Sequence, residues 1–225
     1  MGKPLRSAGI AGIVLLFYFY VYLVIQKVIS LMGLEIISTI SFIIFIIIGI
    51  ASSILFLYGF ALLGRMFNSK LLQIISWIAI ILSIITTLFF LVGGNLIGQN
   101  ITDKYGDLAS LDLENSENNN EKLANELQED IAKIMGYIFI SFIVYSLIHG
   151  LISIFLGIGM LKLKGKVEHA KIIGILNIIA GLTYLIFIGF LIKSVSSIFE
   201  IIMFFKTSKK YESRIINNNS KIKQH

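Results

Sequence analysis

Three polar side chains interrupt stretches that are otherwise apolar for many residues, and they are the groups best placed to do chemistry. His149 stands near the middle of the run 134–161. It shares a stripe with Ser141, Tyr145 and Ser153, whose four-residue spacing puts all four on one helix face. Glu200 lies deep in the last apolar stretch, and Asn177 lies earlier in the same stretch. An ionised carboxylate at the centre of a bilayer costs about 2.5–3.5 kcal/mol, so Glu200 is expected to be protonated, paired or hydrated. A carboxylate of this kind beside a histidine that titrates near neutral pH is what a proton- or cation-coupled site needs. The alternative is hydrogen bonding between helices, worth about 0.6 kcal/mol per contact. The expectation is a single polar cluster of His149, Asn177 and Glu200, with Tyr145 close by.

Other chemistries find little support. The chain has no cysteine, which removes disulfides, thiolate metal sites and cysteine nucleophiles. It carries no Gly-x-x-x-x-Gly-Lys-Ser/Thr, His-Glu-x-x-His or Gly-x-Ser-x-Gly motif. No cofactor or metal is implied, and an enzyme is the least favoured class. Asp107, Asp112 and Glu114 lack the spacing of a calcium loop. Asn100-Ile101-Thr102 fits a glycosylation sequon.

The elements that must hold these residues are hydrophobic helices. Only 14% of the 225 residues are charged, 56% are hydrophobic, and the mean hydropathy is +0.88. A soluble domain carries about 25% charged residues. No acidic or basic side chain occurs over 36–63 or over 71–100, and about 20 apolar residues of helix cross a bilayer. Strands of a membrane barrel would alternate apolar with polar, whereas Ile43–Ile48 and Ile78–Ile85 are apolar on every face. The fold class is therefore an all-α integral membrane protein, a bundle of five to six transmembrane helices.

The spans fall at about 8–25, 36–63, 71–97 and 134–161, followed by an apolar stretch over 172–205. Residues 1–97 thus hold three helices, 98–133 an acidic extracytoplasmic loop, 134–206 the C-terminal helices and 207–225 a basic tail expected to be disordered. Lys3 and Arg6 before the first apolar run, which lacks a cleavage site, read as a signal anchor. The loop holds nine of the thirteen acids, and Leu123, Leu127 and Ile131 within it sit at helical spacing, reading as a short amphipathic helix that leads into the fourth span.

The last stretch decides the topology. As one helix, 34 residues would measure about 51 Å, too long for one span. Split near Phe187-Ile188-Gly189, it becomes two. Six spans with both termini cytoplasmic place fourteen Lys and Arg inside against five outside, whereas five spans leave eight inside. Positive charge is retained on the cytoplasmic side, so six is preferred and the localisation is a multi-pass cell-membrane protein. That bias also accounts for the net charge of +6 without nucleic acid. Lys193 is expected to snorkel to the outer interface. Gly49/Ser53 and Ser153/Gly157 are small-residue pairs suited to close helix packing. Segments 53–59 and 153–159 match at an offset of 100 or 101, which fits a duplicated helical hairpin.

A family resemblance lies in the C-terminal third. Phe155-Leu156-Gly157-Ile158-Gly159-Met160-Leu161-Lys162 leads through a basic turn to Ala170-Lys171-Ile172-Ile173-Gly174-Ile175-Leu176. Ile179-Ala180-Gly181, Ile188-Gly189-Phe190, Ile198-Phe199-Glu200 and Phe204-Phe205-Lys206 follow. This segment resembles an uncharacterised family of archaeal and bacterial multi-pass membrane proteins, domain of unknown function 996. The resemblance implies a membrane protein and brings no catalytic residue. The functional expectation is a small proton- or cation-coupled transporter or channel; the alternative is a non-catalytic structural or partner-binding subunit. The partner is the lipid bilayer, with the acidic loop as the surface for a second copy or another protein.

Overall fold

The computed structural model describes residues 2–31, 35–105 and 117–222. All the regular structure among them is helical: α1 (Gly2–Leu31), α2 (Glu35–Met66), α3 (Lys70–Tyr105), α4 (Glu117–Leu161), α5 (Ala170–Thr183) with a single 3₁₀ turn at Tyr184–Ile186, and α6 (Ile188–Ile222). Four segments are long and apolar enough to cross a membrane: Ser41–Met66, Lys70–Phe89, Gln128–Leu161 and Ile188–Ser213. α1 adds a fifth if its two parts, Gly2–Tyr18 and Tyr20–Val28, bent by 50°, count as one span. α5 with its 3₁₀ turn, Ala170–Ile186, is apolar but shorter.

The chain divides into two compact units. One comprises residues 1–84 and 149–225, the other 85–148. In the first unit the core gathers toward the end that carries the turns after α2 and α4. Leu5 and Ala8 of α1, Leu63 of α2, Leu72 of α3, Met160 of α4, Ile173 of α5 and Met203 of α6 are all buried there. Phe204 stacks edge-on to Phe56 and Phe60, with centroids 5.6 and 5.0 Å apart. The close approach of α1 and α2 depends on Gly59, where a Cβ would stand 2.6 Å from that of Ala8. Elsewhere the helices turn apolar side chains outward, among them Ile47, Leu182 and Leu191, all more than half exposed. Surface of this kind needs a covering that water cannot provide. The second unit holds the later part of α3 and the earlier part of α4, with Phe89, Met135 and Phe139 exposed and Lys133 paired to Glu129 at 2.8 Å.

Several boundaries differ from those expected. α3 runs past residue 97 to Tyr105. No glycine or proline intervenes between Gly98 and Gly106, so nothing local ends the helix where the apolar run stops. α4 starts at Glu117, so the amphipathic segment and the fourth span form one helix. Asp107, Asp112 and Glu114 lie outside the described residues, as do the side chains of Leu123 and Leu127. The tail is not irregular over 207–222: α6 continues through it. Ser208 donates from its buried Oγ to the Gly2 carbonyl at 2.8 Å, which docks the start of the tail on α1 and extends the helix beyond its apolar length. Tyr18 donates to the Phe45 carbonyl at 2.9 Å and Tyr22 packs on Phe45, while Tyr20 is exposed. Segments 53–59 and 153–159 have different environments, since Gly59 meets Ala8 and Phe204 but Gly159 meets Leu72.

Candidate functional site

Two helix contacts build the site. The first joins α4 to α5 through matched small residues: Gly150, Ser153 and Gly157 on one helix, Gly174, Asn177 and Gly181 on the other. A Cβ at Gly181 would stand 2.5 Å from the Gly150 carbonyl oxygen, and one at Gly157 would stand 2.6 Å from that of Gly174. Backbones this close exclude any larger residue. Between these two crossings, Ser153 Oγ reaches the Asn177 main-chain oxygen at 2.8 Å and Oδ1 at 3.3 Å.

The second contact folds α6 back on α5. The 3₁₀ turn ends at Phe187, which has φ 61° and donates its N–H to the Tyr184 carbonyl at 3.2 Å. That left-handed step costs a phenylalanine about 1–2 kcal/mol. Tyr184 and Phe190 stack across the bend at 4.7 Å. The break falls at the Phe187-Ile188-Gly189 position expected from the length of the apolar stretch.

The reversal brings one polar stripe of α6 against Asn177. Lys193, Ser196 and Glu200 are spaced three and four residues apart, so they share a helix face. Glu200 is fully buried. Its Oε1 accepts from Asn177 Nδ2 at 2.7 Å, Lys193 Nζ at 2.7 Å and Ser196 Oγ at 3.1 Å. Lys193 also donates to Asn177 Oδ1 at 2.8 Å. Asn177 is therefore the hub, donating to the carboxylate and accepting from the ammonium. The second carboxylate oxygen, Oε2, is buried and has no hydrogen-bond partner among the described residues. An ionised carboxylate has acceptor sites on both oxygens, so all of this network's donors converge on one side of the group.

Lys193 is not extended away from the site: its side chain is only 23% exposed and ion-paired with Glu200. Snorkelling loses because a charge-assisted bond to a buried carboxylate is stronger than one to an interfacial group, and because leaving Glu200 unpaired would be costly. Ser153, Ser196 and Asn177 are buried as well.

Of the residues expected in a cluster, the structure joins Asn177 and Glu200 directly. His149 is half-buried one turn before Ser153, within electrostatic range of Lys193, but the hydrogen bonds of the network do not include it. Tyr145 belongs to the other compact unit. Sequence reasoning missed Lys193 and Ser196. The signal was present in their shared helix face with Glu200, and in the twin spacings Gly-x₂-Ser-x₃-Gly and Gly-x₂-Asn-x₃-Gly of the two facing helices.

Among the described residues no group of three or more His, Asp and Glu side chains could hold a metal ion. Compared with known protein families, curated proteins and solved structures, the chain matches none.

Proposed function

We propose that this chain is a multi-pass membrane protein of six spans whose Glu200, Lys193 and Asn177 form a proton- or cation-coupled translocation site. The observation that carries the reading is a fully buried carboxylate with three donors on one oxygen and none on the other. Buried ionisable groups in a membrane are costly and belong to transport paths more than to packing. Lys193 acts as a tethered counter-cation. It pairs with Glu200 without an external ion, and it gives way when a proton or a small cation takes its place on the carboxylate. Proton uptake converts the carboxylate to the acid and frees the ammonium, which has a partly exposed route outward. The fifth and sixth spans are α5 and α6, folded into a hairpin, and the two basic turns lie on the cytoplasmic side with both termini.

The test uses the purified chain in proteoliposomes loaded with a pH-sensitive dye, with an imposed membrane potential. Flux above that of protein-free liposomes is expected, and Glu200→Gln should reduce it at least tenfold while leaving the protein folded. Wild-type flux equal to that of empty liposomes, for protons and for sodium or potassium, would sink the reading.

A second reading has its own support. The network ties three helices, and Asn177 uses both its amide nitrogen and its oxygen within it. As a clasp it would hold the short α5 in place within a non-catalytic membrane subunit. That reading expects Glu200→Gln to lower stability with no flux to lose. A cysteine placed at 200 would then stay unreactive toward impermeant maleimide, since thiolates form only in contact with water.

A further inference from the structure

A second polar feature lies away from the Glu200 network, at the end of the first unit where the apolar segments stop. A cavity of about 410 Å³ opens between the end of α2, the turn joining α4 to α5, and α6. Arg65, Lys166, Lys206 and Lys210 line it from all three elements, with Glu168 as the one acidic residue among its lining groups. Glu168 pairs with Lys206 and lies 3.3 Å from His169 Nε2. The side chains of Arg65, Lys166 and Lys210 make no ion pair among the described residues. Three converging cations thus have no ion-pair partner among the described residues, and the cavity's lining side chains carry a formal +3. Phe67 and Val167 add apolar wall beside these charges.

The level of the cavity points to the occupant. The apolar segment of α2 ends at Met66, that of α3 begins at Lys70, and that of α4 ends at Leu161. In a bilayer this is headgroup depth, with the apolar wall at the top of the acyl region. Basic pockets between helices on the cytoplasmic side recognise anionic headgroups, and a zwitterionic headgroup would place its own ammonium against the same cations. We propose that this cavity binds the phosphate of an anionic phospholipid, held by Arg65, Lys166 and Lys210, with Glu168 and Lys206 forming an internal pair that the headgroup competes with. The proposal rests on the membrane placement above but not on transport.

The experiment is native mass spectrometry of the detergent-solubilised full chain, titrated with phosphatidylglycerol, phosphatidylcholine or inorganic phosphate alone. Phosphatidylglycerol is expected to be retained as a saturable adduct and phosphatidylcholine not. Each of Arg65→Glu and Lys210→Glu should weaken that adduct about tenfold or more, since each cation near a charged headgroup is worth roughly fivefold in affinity and reversal counts twice. Lys171→Glu, at the start of α5 and off the cavity, should leave it unchanged. Glu168→Gln should tighten it by roughly fivefold, a gain that misfolding cannot mimic. Equal retention of the two lipids, or indifference to both reversals, overturns the site. Saturable binding of inorganic phosphate that excludes the lipid overturns the lipid assignment.

Discussion

Glu200 and Lys193 show how strongly a residue's role depends on its partner. Removing one member of a buried pair leaves the other charge uncompensated, at a cost of about 3–5 kcal/mol. Glu200→Ala and Lys193→Ala are each expected to destabilise the protein by about that much in reversible unfolding from mixed micelles. The double replacement by leucine should recover most of the loss. Additive losses would show that the two side chains do not pair. Glu168 makes a different prediction, because it is exposed at the turn between α4 and α5. Its hydrogen bond to Lys206 is the chief cause that holds the carboxyl below the usual range; desolvation opposes it, and the charges of Lys206, His169 and Lys210 add to the lowering. A depressed folded value means the contact is intact above the ordinary carboxylate value and lost as pH falls through the lowered one. A carbon-13 titration of the Glu168 carboxyl should therefore show a midpoint below that of an unstructured glutamate, and Lys206→Met should return it toward normal.

Among the elements, α4 and α5 owe their contact to glycines rather than to large apolar side chains. Gly181→Leu puts a side chain where a Cβ already falls 2.5 Å from the Gly150 carbonyl oxygen. Overpacking of this kind typically costs about 1–3 kcal/mol, and here it also parts Ser153 from Asn177. A Cβ at Gly93 or Gly136 meets nothing within 4 Å. Replacing either by alanine should therefore be neutral or stabilise its helix by about 0.5–1 kcal/mol. Thermal unfolding of the three variants separates the two kinds of glycine, and equal effects would remove the case for close helix approach. Gly157 and Gly174 are also of the contact kind. Sequence reading found Ser153/Gly157 as a small pair but not its opposite number on α5. Small residues are recognisable in one helix, whereas the helix they face is not.

For the whole molecule the question is which end faces the cytoplasm. Since the chain has no cysteine, single cysteines can report it without background. Thiols at Lys70, Gly165 and Ser213, all exposed, are expected to react with impermeant maleimide only in opened cells, and one at Gln128 in intact cells. Labelling of Ser213→Cys in intact cells would favour five spans and remove the α5–α6 hairpin from the membrane. Much of the fold was legible beforehand. The helices, their apolar lengths and the break at Phe187-Ile188-Gly189 follow from composition and length, because a helix satisfies its own backbone bonds locally and a 34-residue apolar run exceeds one span. The continuation of α6 through the basic tail was not legible, since a contact such as Ser208 with Gly2 joins opposite ends of the chain and leaves no local signal. The site was legible only in part. Asn177 and Glu200 were conspicuous because polar groups are rare in such runs. Lys193 was expected to snorkel, and its pairing with Glu200 overturns that expectation, because its own helix does not show where Asn177 is held. The choice belongs to the tertiary structure: glycine-mediated approach sets where α5 carries Asn177, and that places both of its amide groups between the ammonium and the carboxylate of α6.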